Sequence, residues 1–136
     1  MSLRDSSLKS LRPDVITGTV KTEMSSEEYF QNSVLRPIIK FQNDLLLAVF
    51  LNYCNTYKNV FFDLSVEKKI LYIDTAIVKN TAFRNSLKNL IIGLFSVEEY
   101  SQYIENASAL NKRMTGIIKE RLISHIQLLS EVRPTT

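Results

Sequence analysis

The stretch from Leu35 to Tyr57, LRPIIKFQNDLLLAVFLNYCNTY, carries the longest apolar helical pattern in the sequence. Apolar side chains recur there at helical spacing along two neighbouring stripes, which gives a helix with a wide apolar face. Because a helix of that kind is buried on most sides, we expect this stretch to form the central helix of a helical domain. The core positions predicted from the spacing are Ile38, Leu45, Val49 and Tyr53.

Pro37 lies near the start of this stretch and separates it from the chain before it. A proline ring disfavours α geometry in the preceding residue, while proline itself suits the first turn of a helix. We therefore expect one helix to end or bend near Arg36 and the next to start at once. Ser25 followed by Glu28 is a capping-box pattern that predicts where the earlier helix begins.

Three features mark where helices start or end in the second half of the chain. Ser96 and Glu99 repeat the capping-box spacing and predict the start of a helix whose apolar positions are Val97, Tyr100, Tyr103 and Ile104. Gly93 suits a helix end that needs a left-handed residue. Asn80 interrupts an apolar pattern, and both a break and a bend are compatible with it.

The composition also favours helices. A chain of 136 residues fits one domain, and Gly 3 and Pro 3 leave little material for the turns of a many-stranded sheet. The predicted fold is all-α, a single-domain bundle of five or six helices. It is divided into an N-terminal arm with a weak helix over 1–24, a bundle over 25–131 and a tail over 132–136. Residues 14–22 are rich in β-branched side chains, so this part is expected to be an extended arm or a single short strand.

Cys54 is the single cysteine, so it forms no intramolecular disulfide and fits a reducing compartment. The longest apolar run, Leu45 to Leu51, is too short to span a bilayer, and the first residues lack the apolar segment of a signal peptide. A cytoplasmic protein without membrane association is expected.

Catalytic residue patterns are scarce along the chain. His125 is the single histidine, and a dyad with Cys54 is far less favoured than a core or boundary position for each residue. A metal centre needs several His, Cys or carboxylate ligands in register, and a phosphate loop needs clustered glycines. Neither pattern occurs, so we expect no metal and no cofactor, and an enzyme is not the favoured interpretation.

The most suggestive polar cluster lies beside the run of leucines in the central stretch. A charged group at that place is costly to bury unless it is paired, so Asp44 is expected either to face water or to pair with Arg84 or Arg113. A small-ligand pocket, in an enzyme or a binding protein, is the alternative function, and it requires Arg36, Asp44 and Arg84 to converge. The predicted ligand-binding residues are Arg36, Asn43, Asp44, Arg84 and Arg113.

Basic residues offer a further alternative, which is weak nonspecific binding of nucleic acid. The helix that follows Gly93 is acidic, so it is a poor candidate for reading DNA, and nucleic acid is a disfavoured partner. The alternative requires two basic groups to share one face. Their members are Lys79, Arg84, Lys88, Lys112 and Arg113.

The segments LRPIIKFQNDLL, AFRNSLKNLIIGLF and SALNKRM resemble a family of small bacterial all-helical proteins, some of which carry an automatic glyoxalase label. The resemblance covers most of the chain after Met24. It implies an all-helical fold and brings no mechanism. The glyoxalase fold is different, because it is built from β-rich modules whose His and Glu side chains bind a metal.

The function favoured by the sequence is a noncatalytic helical interaction module that self-associates. Its helices have apolar faces wider than one small bundle requires, and such faces mark protein interfaces. A homo-oligomer is the expected state, with a different protein as another partner.

Overall fold

Every regular element of the computed structural model is helical in the residues that the structure describes, 2–12 and 25–131. The prediction of an all-α protein is confirmed. The expected count of five or six helices is not confirmed, because these residues divide into more and shorter segments. In chain order they are α1 (Leu3–Leu11), α2 (Ser26–Phe30), a π-helical segment (Gln31–Leu35), α3 (Arg36–Phe41), α4 (Asn43–Thr56), a 3-10 turn (Val60–Asp63), α5 (Val66–Lys79), α6 (Thr81–Ile92), α7 (Val97–Glu105), α8 (Ala107–Ser124) and α9 (Ile126–Glu131).

The predicted extended arm over 14–22 and the tail over 132–136 lie outside the described residues. The weak helix predicted before the arm is present as α1, which begins after the cap residue Ser2. None of the helices in the described part of the chain is long and apolar enough to cross a lipid bilayer.

Side-chain oxygens start several of the helices. The hydroxyl of each capping serine accepts the backbone N–H three residues further on, which satisfies a donor that has no partner inside the helix. The serines that act in this way are Ser2, Ser25, Ser65 and Ser96. The capping box predicted at Ser96 and Glu99 is complete, with both reciprocal bonds formed.

The change of helix predicted near Arg36 is present as a change of helix type, because the π-helical segment ends at Leu35 and α3 starts at Arg36 with Pro37 in its first turn. Arg36 has helical backbone angles, φ −61° and ψ −46°, and its N–H bonds the carbonyl of Gln31, five residues earlier. The wider π turn accommodates Pro37, which has no N–H to donate and whose ring would crowd a tighter turn. Helix therefore continues through the proline.

The backbone leaves helical geometry at Gln42, which has φ −88° and ψ 6° and separates α3 from α4. Its side-chain amide donates to the carbonyl of Leu90 at 3.0 Å, so the break is held against α6. Because Gln42 interrupts the helix, the helical spacing that placed Ile38 and Leu45 on one stripe does not hold between α3 and α4. Leu45 is 45% exposed and was wrongly assigned to the core, while Leu46 is fully buried.

The central element is α8 rather than the Leu35–Tyr57 stretch. It packs against the π-helical segment and against α3, α4, α5, α6, α7 and α9. Its buried side chains lie along most of its length: Leu110, Met114, Ile117, Ile118 and Leu122.

Asn80 ends α5 and caps α6, so the interrupted pattern marks a break. Its backbone is extended, and its side-chain oxygen accepts the N–H of Phe83 at 3.0 Å. Gly93, by contrast, is not left-handed as predicted, since its φ is −61°. A Cβ at Gly93 would lie 3.1 Å from the carbonyl oxygen of Asn89, and this close approach is what favours glycine there.

Aromatic side chains form two groups within one continuous core. The first centres on Phe50, whose ring lies edge-on to Phe61 at 5.1 Å and to Tyr72 at 6.3 Å. The second joins α2 to α7 through Phe95, which contacts the rings of Phe30 and Tyr103. The core residues run in sequence from Phe30 to Leu129.

Lys69 is buried among these apolar residues. Its amine donates to the hydroxyl of Ser130 at 2.7 Å and lies 5.5 Å from the centre of the Phe61 ring. A hydrogen bond and a cation–π contact together offset part of the cost of removing the ammonium from water.

Candidate interaction surface

The predicted ligand-binding residues have separate partners in the structure. Arg36 is exposed and donates from Nε to Asn32 Oδ1 at 3.1 Å. Asp44 is exposed at the start of α4, where it accepts from its neighbour Asn43 at 3.2 Å. That position suits a carboxylate, because the N-terminus of a helix carries partial positive charge.

The two arginines proposed as partners of Asp44 are engaged elsewhere. Arg84 donates to the carbonyls of Ile77 and Val78 at 3.0 and 2.9 Å and so caps the end of α5. Arg113 donates to Gln31 Oε1 at 2.8 Å in the π-helical segment. Of the five residues, Asn43 and Asp44 are the pair joined by a hydrogen bond, and they are adjacent in sequence.

The packing of α4 on α6 also separates Asp44 from Arg84. The two helices run antiparallel, since Gln42 bonds Leu90 and Asn80 bonds Tyr57. At 1.5 Å per residue, Arg84 of α6 therefore lies beside α4 at a level about 10 Å further along the α4 axis than Asp44. A shared ligand pocket therefore stays a prediction that these contacts do not favour.

The two basic groups of the nucleic-acid alternative have different neighbours. Arg84 lies at the junction of α5 and α6, while Arg113 lies against the π-helical segment. No hydrogen bond joins the two groups among the described residues, and a shared basic face stays a prediction.

Cys54 and His125 show no arrangement for nucleophilic chemistry. Burial raises the pKa of the Cys54 thiol to about 12, so the thiol is protonated at neutral pH. The His125 ring lies at the end of α8, with Nδ1 2.7 Å from the carbonyl of Arg121. Among the described residues, no group of three or more His, Cys, Asp or Glu could hold a metal ion.

A different surface is positioned by the polar contacts at the start of α7. Glu99 accepts the N–H of Ser96 at 2.8 Å and both terminal nitrogens of Arg12, at 2.5 and 2.6 Å. Arg12 also donates to the carbonyl of Leu94 at 2.9 Å. The guanidinium and carboxylate are largely buried, and a two-pronged pair of this kind is directional as well as strong.

The pKa of Glu99 reports the balance of these contacts. Burial alone would raise the pKa, but the hydrogen bonds and charge of Arg12 and the N–H of Ser96 outweigh it. The net pKa is lower than the ordinary value, so Glu99 is ionised at neutral pH and holds α1 against α7.

Arg4 and Asp5 add a second attachment of α1. Arg4 donates to the carbonyls of Gly93 and Phe95 at 2.8 and 2.9 Å, which lie at the end of α6 and just beyond it. Asp5 accepts the N–H of Val97 at 3.2 Å at the first turn of α7. The orientation of α7 is thus set by hydrogen bonds at its N-terminus.

In this orientation one side of α7 is buried and the adjacent apolar side is not. Tyr103 and Glu99 face inward. The outer side carries what we name the α7 stripe, which consists of Val97, Tyr100 and Ile104, exposed by 66%, 47% and 56%. Side chains at spacings of three and four lie next to one another along a helix, so these residues form one continuous patch.

An open groove of about 210 Å³ adjoins the α7 stripe on the side of α1 and α6. It is lined by Val97 and Tyr100 of the stripe together with Arg4, Ile92, Phe95 and Ser96. A contiguous exposed apolar patch beside a groove is typical of protein interaction sites.

The sequence predicted part of this surface. It identified the apolar positions of the helix as Val97, Tyr100, Tyr103 and Ile104, but not which of these side chains are buried and which are exposed. Arg12 was not recognised as the partner of Glu99, because the two residues are 87 positions apart and neither has a local signal for the pairing.

No family model, curated protein or solved structure matches this chain. The resemblance to small bacterial all-helical proteins stays a prediction.

Proposed function

We propose that this chain is a noncatalytic helical module that self-associates, and that the α7 stripe is a binding surface. The observation that carries this proposal is the position of Val97, Tyr100 and Ile104 together on the exposed side of a helix. Single exposed apolar residues are ordinary, whereas a contiguous row of them on a fixed helix stays in contact with water unless a partner covers it.

The attachment of α7 supports the proposal. A binding surface loses less entropy on association when it is already ordered in the free protein. The Arg12–Glu99 pair and the Ser96 cap order the stripe without covering it.

Sedimentation equilibrium on the full chain tests the proposal. We expect the average mass of the wild-type protein to rise above 15.7 kDa with concentration. Val97→Ser should weaken association about tenfold, since burying a valine side chain contributes about 1.5 kcal/mol or more.

Val66→Ser is the matched control. Val66 is 62% exposed and, like Val97, is the first residue of a helix capped by a serine. This control should associate like the wild type. A protein that stays monomeric at all concentrations would overturn self-association, and equal effects of the two substitutions would remove the assignment to the α7 stripe.

A further inference from the structure

The end of α4 and the turn between α5 and α6 meet at a second exposed surface. Asn80 Nδ2 donates to the Tyr57 hydroxyl at 3.1 Å, which joins the two elements. Lys58 and Lys79 adjoin these residues in sequence, and both side chains are exposed. We name this surface the cationic end and define it by Tyr57, Lys58, Val78 and Lys79.

Among the described residues, no ion pair offsets the charge of the cationic end. Residues 50–62 and 75–92 contain no Asp or Glu, and in the described part of the chain neither Lys58 nor Lys79 forms an ion pair. Arg84 adds a third cation beside them and donates to the last carbonyls of α5. Two helices, α4 and α5, end here, and the partial negative charge of helix C-termini favours such cations.

The α7 stripe has the opposite charge at its border. Glu98 and Glu105 are exposed on α7, seven residues and so about 10 Å apart, and they have no ion pair among the described residues. The stripe is therefore an apolar row with negative charge on the side of Glu98 and Glu105, while Arg4 lies on the other side, in the groove. The cationic end combines apolar side chains with the opposite charge, because the exposed side chains of Tyr57 and Val78 lie beside lysines.

We propose that the partner bound by the α7 stripe is the cationic end of a second copy of this chain, an inference that rests on the proposed function. Tyr57 and Val78 cover the apolar row, and Lys58 and Lys79 meet Glu98 and Glu105. Complementary charge of this kind orients the partner and excludes wrong pairings.

Contact between two identical surfaces is disfavoured by the same charges. Two α7 stripes would bring carboxylates together, and two cationic ends would bring ammonium groups together. The two surfaces adjoin opposite ends of α6, which is twelve residues and so about 18 Å long. Association is therefore heterologous, with each copy offering one surface of each kind, and it can build a closed ring or an open chain.

Mixing two charge-reversal variants tests this arrangement. Lys79→Glu damages the cationic end and leaves the stripe intact, while Glu105→Lys does the reverse. Each variant alone should associate at least about tenfold more weakly than the wild type at low salt, since a like-charge contact replaces an attractive one. Each variant retains one native surface, and the two altered surfaces carry opposite charges. A mixture of the two should therefore associate more strongly than either variant alone, with equal numbers of both copies in the complex.

Matched controls make the same change in net charge at positions outside the two surfaces. Lys68→Glu alters another exposed lysine of α5, and Glu120→Lys alters an exposed glutamate of α8. Both should associate like the wild type, and their mixture should behave like either alone. Wild-type association should weaken in about 0.5 M salt, where exposed charges are strongly screened.

The outcomes separate this inference from the function on which it rests. If the wild type associates and Val97→Ser weakens it, but Lys79→Glu has no effect, the module stands and the cationic end is excluded as the partner surface. A monomeric wild type overturns both. A monomer that binds a single-stranded oligonucleotide, with binding lost in Lys79→Glu, would assign the cationic end to nucleic acid and also overturn the inference.

Discussion

Leu45 and Leu46 are adjacent in α4 and have opposite environments, one half-exposed and the other fully buried. Leu46→Ala should lower the free energy of unfolding by about 2–5 kcal/mol, because it leaves a cavity in the core. Leu45→Ala should lower it by about 1 kcal/mol or less. Urea unfolding followed by circular dichroism measures both, and a larger loss for Leu45→Ala would contradict the break at Gln42 and the register that it sets.

Cys54 is the buried thiol of the same helix, and its pKa of about 12 lies above the ordinary value of 9.0. The stability linked to its protonated form is fully present below pH 9 and is lost as the pH rises toward 12. At pH 8 the higher pKa lowers the thiolate fraction about a thousandfold. Iodoacetamide should therefore label the native protein at least that much more slowly than the protein in urea, as mass spectrometry can measure. Comparable rates would show that the thiol is not buried.

At the scale of elements, α1 is held to α7 mainly by Arg12. Arg12→Met should lower the free energy of unfolding by about 1.5–3 kcal/mol, which is the contribution of hydrogen bonds to a charged group. Lys9→Met, on the same helix but exposed and without an ion pair among the described residues, should change it by about 0.5 kcal/mol or less. Hydrogen exchange should show the loss in the amides of α1 first, and unchanged exchange there would contradict the attachment.

The same contact predicts a dependence on pH. The pKa of Glu99 is lower in the folded protein than its ordinary value of 4.5. Its stabilising contribution is therefore present above pH 4.5 and is lost as the pH falls through the lower, folded-state pKa. After correction for intrinsic rates, α1 amides should exchange faster at pH 3 than at pH 6. Glu99→Gln should exchange fast at both pH values, and a variant that kept the wild-type pH profile would contradict the assignment to Glu99.

At the scale of the whole molecule, both aromatic groups belong to one core. Tyr72 reports on the group around Phe50 and Tyr103 on the group around Phe95. Because one core usually unfolds cooperatively, the urea midpoints from circular dichroism and tyrosine fluorescence should coincide. Phe50→Ala should lower the free energy of unfolding by about 3–5 kcal/mol and lower both midpoints together. Separate midpoints would divide the helices into independent folding units.

Sequence reasoning predicted the helical class and many helix ends correctly, because their causes are local. The serine caps at Ser25 and Ser96 and the break at Asn80 follow from groups within a few residues of each other. The change of helix type at Arg36 and the end of α6 at Gly93 have local causes too. A π turn accommodates Pro37. At Gly93 the predicted left-handed turn was wrong, and glycine instead avoids a close contact with the carbonyl oxygen of Asn89 in the same helix.

By itself the sequence determined that this protein is helical, where several helices start, and that α7 has an apolar face. The tertiary structure alone decided which half of that face is buried, which side of α4 faces the core, and which distant residue Glu99 pairs with. The physical reason is that caps and periodicity act over one or two helical turns, whereas burial depends on what packs against a helix from elsewhere in the chain. The α7 stripe is exposed because Arg12 and Ser96 fix the orientation of its helix through Glu99.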